Sequence, residues 1–148
     1  MKIGMASDHG GFLLKRFLVQ VVEGLGHEVE DMGTTSEDPV DYPLLIAELA
    51  ARVGAGEIPR GIVLCGSGIG ASIVANKARG VRCALCHDPL SAELSRRHND
   101  SNMLAMGGRL IGPEMAKRIV EVWLQTSFEG GRHERRVRQI HRTEELTP

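Results

Sequence analysis

Short apolar runs alternate along the chain with longer stretches in which apolar residues recur every three or four positions. Residues 3–6, 62–64, 81–86 and 102–106 show the first pattern and predict strands, and a further strand is read around 27–32. Phe12, Leu13, Leu14, Phe17, Leu18, Val21, Val22 and Leu25 lie at helical spacing, and Gly24 and Gly26 close that segment. Asp41-Tyr42-Pro43 reads as the start of a second helix, with Asp41 as N-cap and Leu44, Leu45, Ala47, Leu49 and Val53 on its apolar side. An Ala-rich helix to about Lys77, a helix from Pro89 to about Arg97, and a helix over 113–124 follow. The last carries Met115, Ile119, Val122 and Trp123 toward a core. From Gly130 the chain is polar and Arg-rich, with a weak helical period.

Strands separated by helices require crossover connections, which favour parallel pairing of one hand. The strands are apolar without alternation, as in a sheet covered on both faces. The expected fold is an α/β/α sandwich with a five-stranded parallel sheet and a C-terminal helical extension from about residue 130. At 148 residues, one domain spanning 1–148 is expected. Ligands in such folds collect at the carboxyl ends of strands. That rule selects 7–11, 33–41, 65–70, 87–88 and 107–109.

Composition narrows the function classes. Eighteen Lys plus Arg balance 19 Asp plus Glu, which argues against a nucleic-acid coat. No apolar run reaches the ~20 residues needed to span a bilayer, and the N-terminus lacks a signal-peptide pattern. Three cysteines, an odd number, make no disulfide framework and fit a reducing compartment, so a cytoplasmic location is expected.

The strongest local signal is Leu64-Cys65-Gly66-Ser67-Gly68-Ile69-Gly70-Ala71. Closely spaced glycines let the backbone turn tightly, and successive amides at a helix start form an anion cradle. A tight turn without a ligand is the plainer alternative. The run lacks the Lys-Ser/Thr of a P-loop. It matches a relaxed G-x-G-x-x-A dinucleotide pattern, with Asp88 as a possible ribose ligand, yet too few strands follow for a complete dinucleotide sheet. A thiol near a helix start is favoured as its anion, making Cys65 a candidate nucleophile or general base. Cys83 and Cys86 read as buried small hydrophobes. Asp8 and His9 suit proton transfer and anion binding, or a simple cap with a solvated ring. His98 closes a helix, where its cation is favoured by the dipole. Arg132 and Arg136 share a helix face and could clamp a phosphate, or could belong to a solvated basic tail.

Ala6-Ser7-Asp8-His9-Gly10-Gly11-Phe12, Asp41-Tyr42-Pro43, Cys65-Gly66-Ser67-Gly68-Ile69-Gly70, Ala75-Asn76-Lys77, Ser95-Arg96-Arg97-His98-Asn99-Asp100 and Gly130-Gly131-Arg132-His133 together resemble the RpiB/LacAB sugar-phosphate isomerase family, to about Ile140. The resemblance implies a Rossmann-like fold. It also implies cofactor- and metal-free interconversion of ribose 5-phosphate and ribulose 5-phosphate, and a homodimer, sometimes paired into a tetramer, with sites at the interface. It makes Cys65 the base between C2 and C1, with Ser67 polarising sugar oxygens. His98, from the partner subunit and helped by Asp8, opens the furanose ring. His9, Arg132 and Arg136 become phosphate ligands, with Tyr42, Asn99 and Arg109 contacting substrate. The amides of Gly66, Gly68, Ile69 and Gly70 face the enediolate. One branch of the family uses a Glu after the loop; Gly70-Ala71-Ser72-Ile73 has no acid and fits the Cys branch. The alternatives are a hexose 6-phosphate isomerase of allose or galactose type, a non-catalytic phosphosugar-binding module and a dinucleotide-dependent oxidoreductase. Neither nucleic acid nor membrane is an expected partner.

Overall fold

The computed structural model describes residues 1–146; the last two residues of the expected C-terminal extension lie outside it. Five parallel strands, β1 (Lys2–Ser7), β2 (Glu28–Asp31), β3 (Arg60–Cys65), β4 (Cys83–Leu85) and β5 (Met103–Gly107), form one sheet in the order β2-β1-β3-β5-β4. Helices α1 (Phe12–Gly24), α2 (Tyr42–Gly54), α3 (Ile69–Ala75), α4 (Pro89–Asn99), α5 (Pro113–Gln125) and α6 (Arg132–Thr143) follow in chain order, with a short 3-10 turn at His9–Gly11.

The three central strands β1, β3 and β5 are buried on both faces, which explains why they do not alternate in polarity, while the edge strands β2 and β4 are only partly covered. Ile3, Met5, Ile62, Leu64, Leu104 and Met106 face α1, α4 and α5, where Leu14, Leu18, Ala92, Ile119 and Trp123 pack. Ala6, Val63, Cys65, Met103 and Ala105 face α2 and α3, against Ile46, Leu49, Ala50, Ala71 and Ala75. The small residues on that second face let the short α3 sit close to the strands.

Several sequence expectations shift by a fraction of a helical turn. On α2 the buried residues are Ile46, Leu49, Ala50 and Val53, while Leu44 is 80% exposed. Leu13 and Met115 are also exposed, and Val122 is only half-buried. Their helices each bury a narrow stripe against the sheet, and residues at its margin reach solvent. Asp41 precedes α2 without a side-chain cap bond. Asp88 caps α4 through Ser91 N–H at 2.7 Å, which commits the carboxylate that the dinucleotide pattern offered as a possible ribose ligand. The weak period after Gly130 is α6, which buries only His133 and Val137.

β1 and β3 are neighbours, while β2 lies outside β1 and β5 outside β3. The chain therefore reverses its direction of winding between β1 and β3, the place where such sheets open a crevice. The loops leaving these strands are 7–11 and 65–70.

Candidate active site

At that crevice lies a cleft of about 440 Å³ lined by Asp8, Tyr42, Cys65, Gly66, Ser67, Gly70, Arg109 and Leu110. Cys65 ends β3 with its thiol almost fully buried, and Sγ accepts the Gly68 N–H at 3.1 Å. This bond aims a backbone N–H at the sulfur and fixes its position at the cleft wall. Gly68 has φ +76°, and a Cβ there would lie 2.7 Å from the Met106 carbonyl carbon and from Leu85 Cδ1. Only glycine meets both demands, so the turn that aims an amide at Cys65 depends on it. Gly70 leaves room for the Tyr42 ring, since a Cβ would come within 2.5 Å of Tyr42 Cζ.

The remaining walls are equally fixed. Asp8 is buried, and Oδ1 accepts the Gly11 N–H at 3.1 Å, so this residue is both a cap and a cleft carboxylate. His9 Nδ1 accepts the Val40 N–H at 3.2 Å, so in neutral His9 the ring proton sits on Nε2. Val40 lies in the 33–41 loop selected from the strand pattern but had no individual role there, because a backbone donor has no side-chain signature. Ser67 Oγ accepts the Ile69 N–H at 3.3 Å. Two of the loop amides expected to cradle a ligand, those of Gly68 and Ile69, are therefore committed to Cys65 and Ser67. The Arg109 guanidinium lies beside Gly66, with Nη1 3.5 Å from the position a Cβ would take there.

The other sequence-selected residues form a second group on α4 and α6. The His98 and His133 rings stack, with centroids 4.3 Å apart and planes inclined by 11°. Glu129 Oε2 lies 3.3 Å from His133 Nε2, and Glu129 Oε1 accepts from Arg97 Nε at 2.7 Å. Arg132 and Arg136 are exposed on one face of α6. Asn99 ends α4 and lines a separate hollow with Arg82 and Cys83. Sequence reasoning had no role for Glu129 or His133. The signal available was the spacing of His133 and Val137, which turns both inward while Arg132 and Arg136 turn out.

The register keeps the two groups apart within one chain. Cys65 pairs with Gly107 at the carboxyl end of the sheet. His98 and Asn99 precede β5, which starts at Met103 at the opposite end. Four strand steps separate those ends, about 13 Å.

A family description, Ribose/Galactose Isomerase, matches residues 3–140. The chain belongs to this isomerase family. Ribose-5-phosphate isomerase B of Escherichia coli is 48% identical over 139 residues, 94% of this chain and 93% of that one. The solved ribose-5-phosphate isomerase B of Clostridium thermocellum superposes with a TM-score of 0.97 at 47% identity, covering 100% of both chains. That of Mycoplasma genitalium, determined with bound ribulose 5-phosphate, has a TM-score of 0.94 at 34% identity over 99% of this chain and 97% of that one. As a member of the ribose/galactose isomerase family, the chain is a sugar-phosphate isomerase with a Rossmann-like fold. Among the described residues no helix is long and apolar enough to cross a membrane.

Proposed function

We propose that this isomerase interconverts ribose 5-phosphate and ribulose 5-phosphate, with Cys65 as the carbon base and with each site completed by a second copy of the chain. The observation that carries the reading is the Cys65 sulfur held by the Gly68 amide at the wall of a cleft that also contains Asp8, Tyr42 and Arg109. Aldose–ketose isomerisation needs a base at C2, donors for two oxygens and a remote clamp on the phosphate.

Ring opening comes first. The ring oxygen gains a proton from His98 of the second copy, and the anomeric hydroxyl gives one to Asp8. Cys65 then takes the C2 proton, and the electron pair forms an enediolate. Ser67 and uncommitted loop amides such as that of Gly70 face its oxygens, a contribution of about 3 kcal/mol for one well-placed donor. Return of that proton to C1, with the O2 hydroxyl proton passing to O1, yields the ketose. His9, with its proton on Nε2, joins Arg132 and Arg136 of the second copy on the phosphate, converting remote binding energy into register. Tyr42, Arg109 and the second copy's Asn99 contact the sugar.

Two features support the second copy. His98, Arg132 and Arg136 do not line the Cys65 cleft of their own chain. Ile69 and Ile73, one turn apart on α3, are 52% and 55% exposed, and Leu85 of the edge strand is 36% exposed. An isologous pair places both halves of two sites together and covers this apolar flank. Three free cysteines, including a working thiol, suit a reducing, cytoplasmic setting.

The test is turnover of ribose 5-phosphate, allose 6-phosphate and galactose 6-phosphate in parallel coupled assays with wild type and Cys65→Ala. The reading expects the pentose to have the highest kcat/KM and the variant to lose it. Preference for a hexose would overturn the substrate, and unchanged turnover by Cys65→Ala would overturn the base.

A further inference from the structure

The stacked His98–His133 pair carries an inference that rests on the reading above and deepens it. His133 Nε2 faces two groups with opposite demands. Arg132 Nε donates to it at 3.4 Å, which suits a neutral ring. Glu129 Oε2 stands 3.3 Å away, which suits a protonated one. The groups facing this nitrogen are His98 from α4, Glu129 from the link before α6, and Arg132 and Arg136 from α6 itself. Arg97 and, behind it, Glu93 complete the network through Glu129. Burial, the His98 ring and the Arg132 guanidinium hold His133 below the ordinary imidazole range, and only Glu129 pulls the other way.

His98, Glu129 and His133 present ligand atoms within 4.8 Å of one another, the spacing of a metal site. Two observations turn the cluster to protons instead. Glu129 is already paired with Arg97, and the Arg132 guanidinium occupies the approach to His133. A divalent cation would meet both positive charges.

Arg132 is therefore shared. It is one of the two guanidiniums assigned to the phosphate, and it is the donor that keeps His133 neutral. We propose that an anion engaging Arg132 withdraws it from His133, so that the stacked pair takes up one proton from solvent when, and only when, the phosphate is seated. His133 is a positioning residue in this scheme, and His98 is the catalytic one. Two imidazoles stacked at 4.3 Å do not both carry charge readily, so the proton belongs to the pair. The proton taken up is the one His98 delivers to the ring oxygen. The one released by the anomeric hydroxyl to Asp8 returns to solvent, and the step balances. The device couples ring opening to recognition of the distant phosphate, so a sugar without one meets an acid that is not loaded.

The experiment is a pH titration of the histidine Cε1–H signals by ¹H–¹³C NMR in the full-length protein. The chain has six histidines, and His98→Gln and His133→Gln assign the pair. Sulfate is the probe, because it is a divalent anion that does not itself titrate near neutrality. In wild type, saturating sulfate should move the pair's midpoint upward. In Arg132→Gln, an exposed substitution that leaves the core intact, the midpoint should already be raised without sulfate and move little on adding it. A pair midpoint in wild type that ignores bound sulfate would overturn the proposal. So would Arg132→Gln titrating like wild type in the absence of sulfate. Sulfate competition against ribose 5-phosphate separates the two layers. Absence of competition removes the phosphate clamp itself, whereas competition with an unmoved pair removes only the coupling.

Discussion

Replacing Gly70 by Ala tests whether Tyr42 is a working wall of the cleft. Gly70 is in the first turn of α3 and has an ordinary helical backbone, so Ala gains about 1 kcal/mol of helix propensity. The new methyl would lie 2.5 Å from Tyr42 Cζ and 2.9 Å from Cε2, closer than carbon atoms approach, and the ring must leave. Tyr42 is only partly buried against the α2–α3 core, so its displacement costs about 1–2 kcal/mol, roughly half of full burial. The two effects nearly cancel, and the melting temperature should move by no more than about 4 °C. Activity should not survive as well. Losing one hydrogen-bonding contact of about 1–1.5 kcal/mol lowers kcat/KM for ribose 5-phosphate about tenfold. The assay is a double-mutant cycle with Tyr42→Ala, which vacates the space the methyl needs. Gly70→Ala should cost activity alone and nothing further in the Tyr42→Ala background. Full additivity of the two losses, or wild-type activity in Gly70→Ala, would refute the assignment of Tyr42 to the substrate.

Other perturbations separate chemistry from stability. Cys65→Ala should lower kcat by a factor of about 10²–10⁴, the usual contribution of a positioned proton-transfer group, with an unchanged far-ultraviolet circular dichroism spectrum. Lys15 is fully buried beneath the β2–α2 loop, with Nζ 2.5 Å from Asp31 Oδ1 and 2.8 Å from the Thr34 carbonyl. Lys15→Ala should destabilise by about 3 kcal/mol in urea denaturation, at the low end for a broken buried pair because Asp31 keeps contact with water. Burial, with the neighbouring His98 ring and Arg132 guanidinium, lowers the His133 pKa in the folded chain, so the unfolded chain binds more protons as pH falls through the ordinary imidazole range. Stability from this source is present above that range and is lost on acidification; His133→Gln should therefore lose less melting temperature than wild type between pH 7.5 and 5.5.

The strand and helix order was legible because every strand but the acidic edge strand β2 is a short apolar run and the helices are longer periodic ones. Helix faces were less so: Leu44 and Met115 are apolar by composition yet exposed, and nothing local says which edge of an apolar stripe meets the sheet. The crevice residues around Cys65 were legible because its glycine turn announces itself. The fate of the loop amides was not, since the bonds Gly68 N–H to Cys65 and Ile69 N–H to Ser67 depend on the folded turn. Val40 and Glu129 act through a backbone amide and a long-range ion pair, neither of which leaves a pattern in sequence. His98 was assigned to the partner subunit by the family resemblance alone, because its separation from Cys65 within one chain follows from strand register, which leaves no local pattern.

The most direct measurement mixes two inactive variants, Cys65→Ala and His98→Gln, after dissociation and reassociation. In a hybrid pair one site has both defects and the other has neither. Random exchange in dimers should therefore restore about a quarter of wild-type turnover of ribose 5-phosphate. A mixture no more active than its separate parents, with hybrid formation verified by native mass spectrometry, would contradict a site built from both copies.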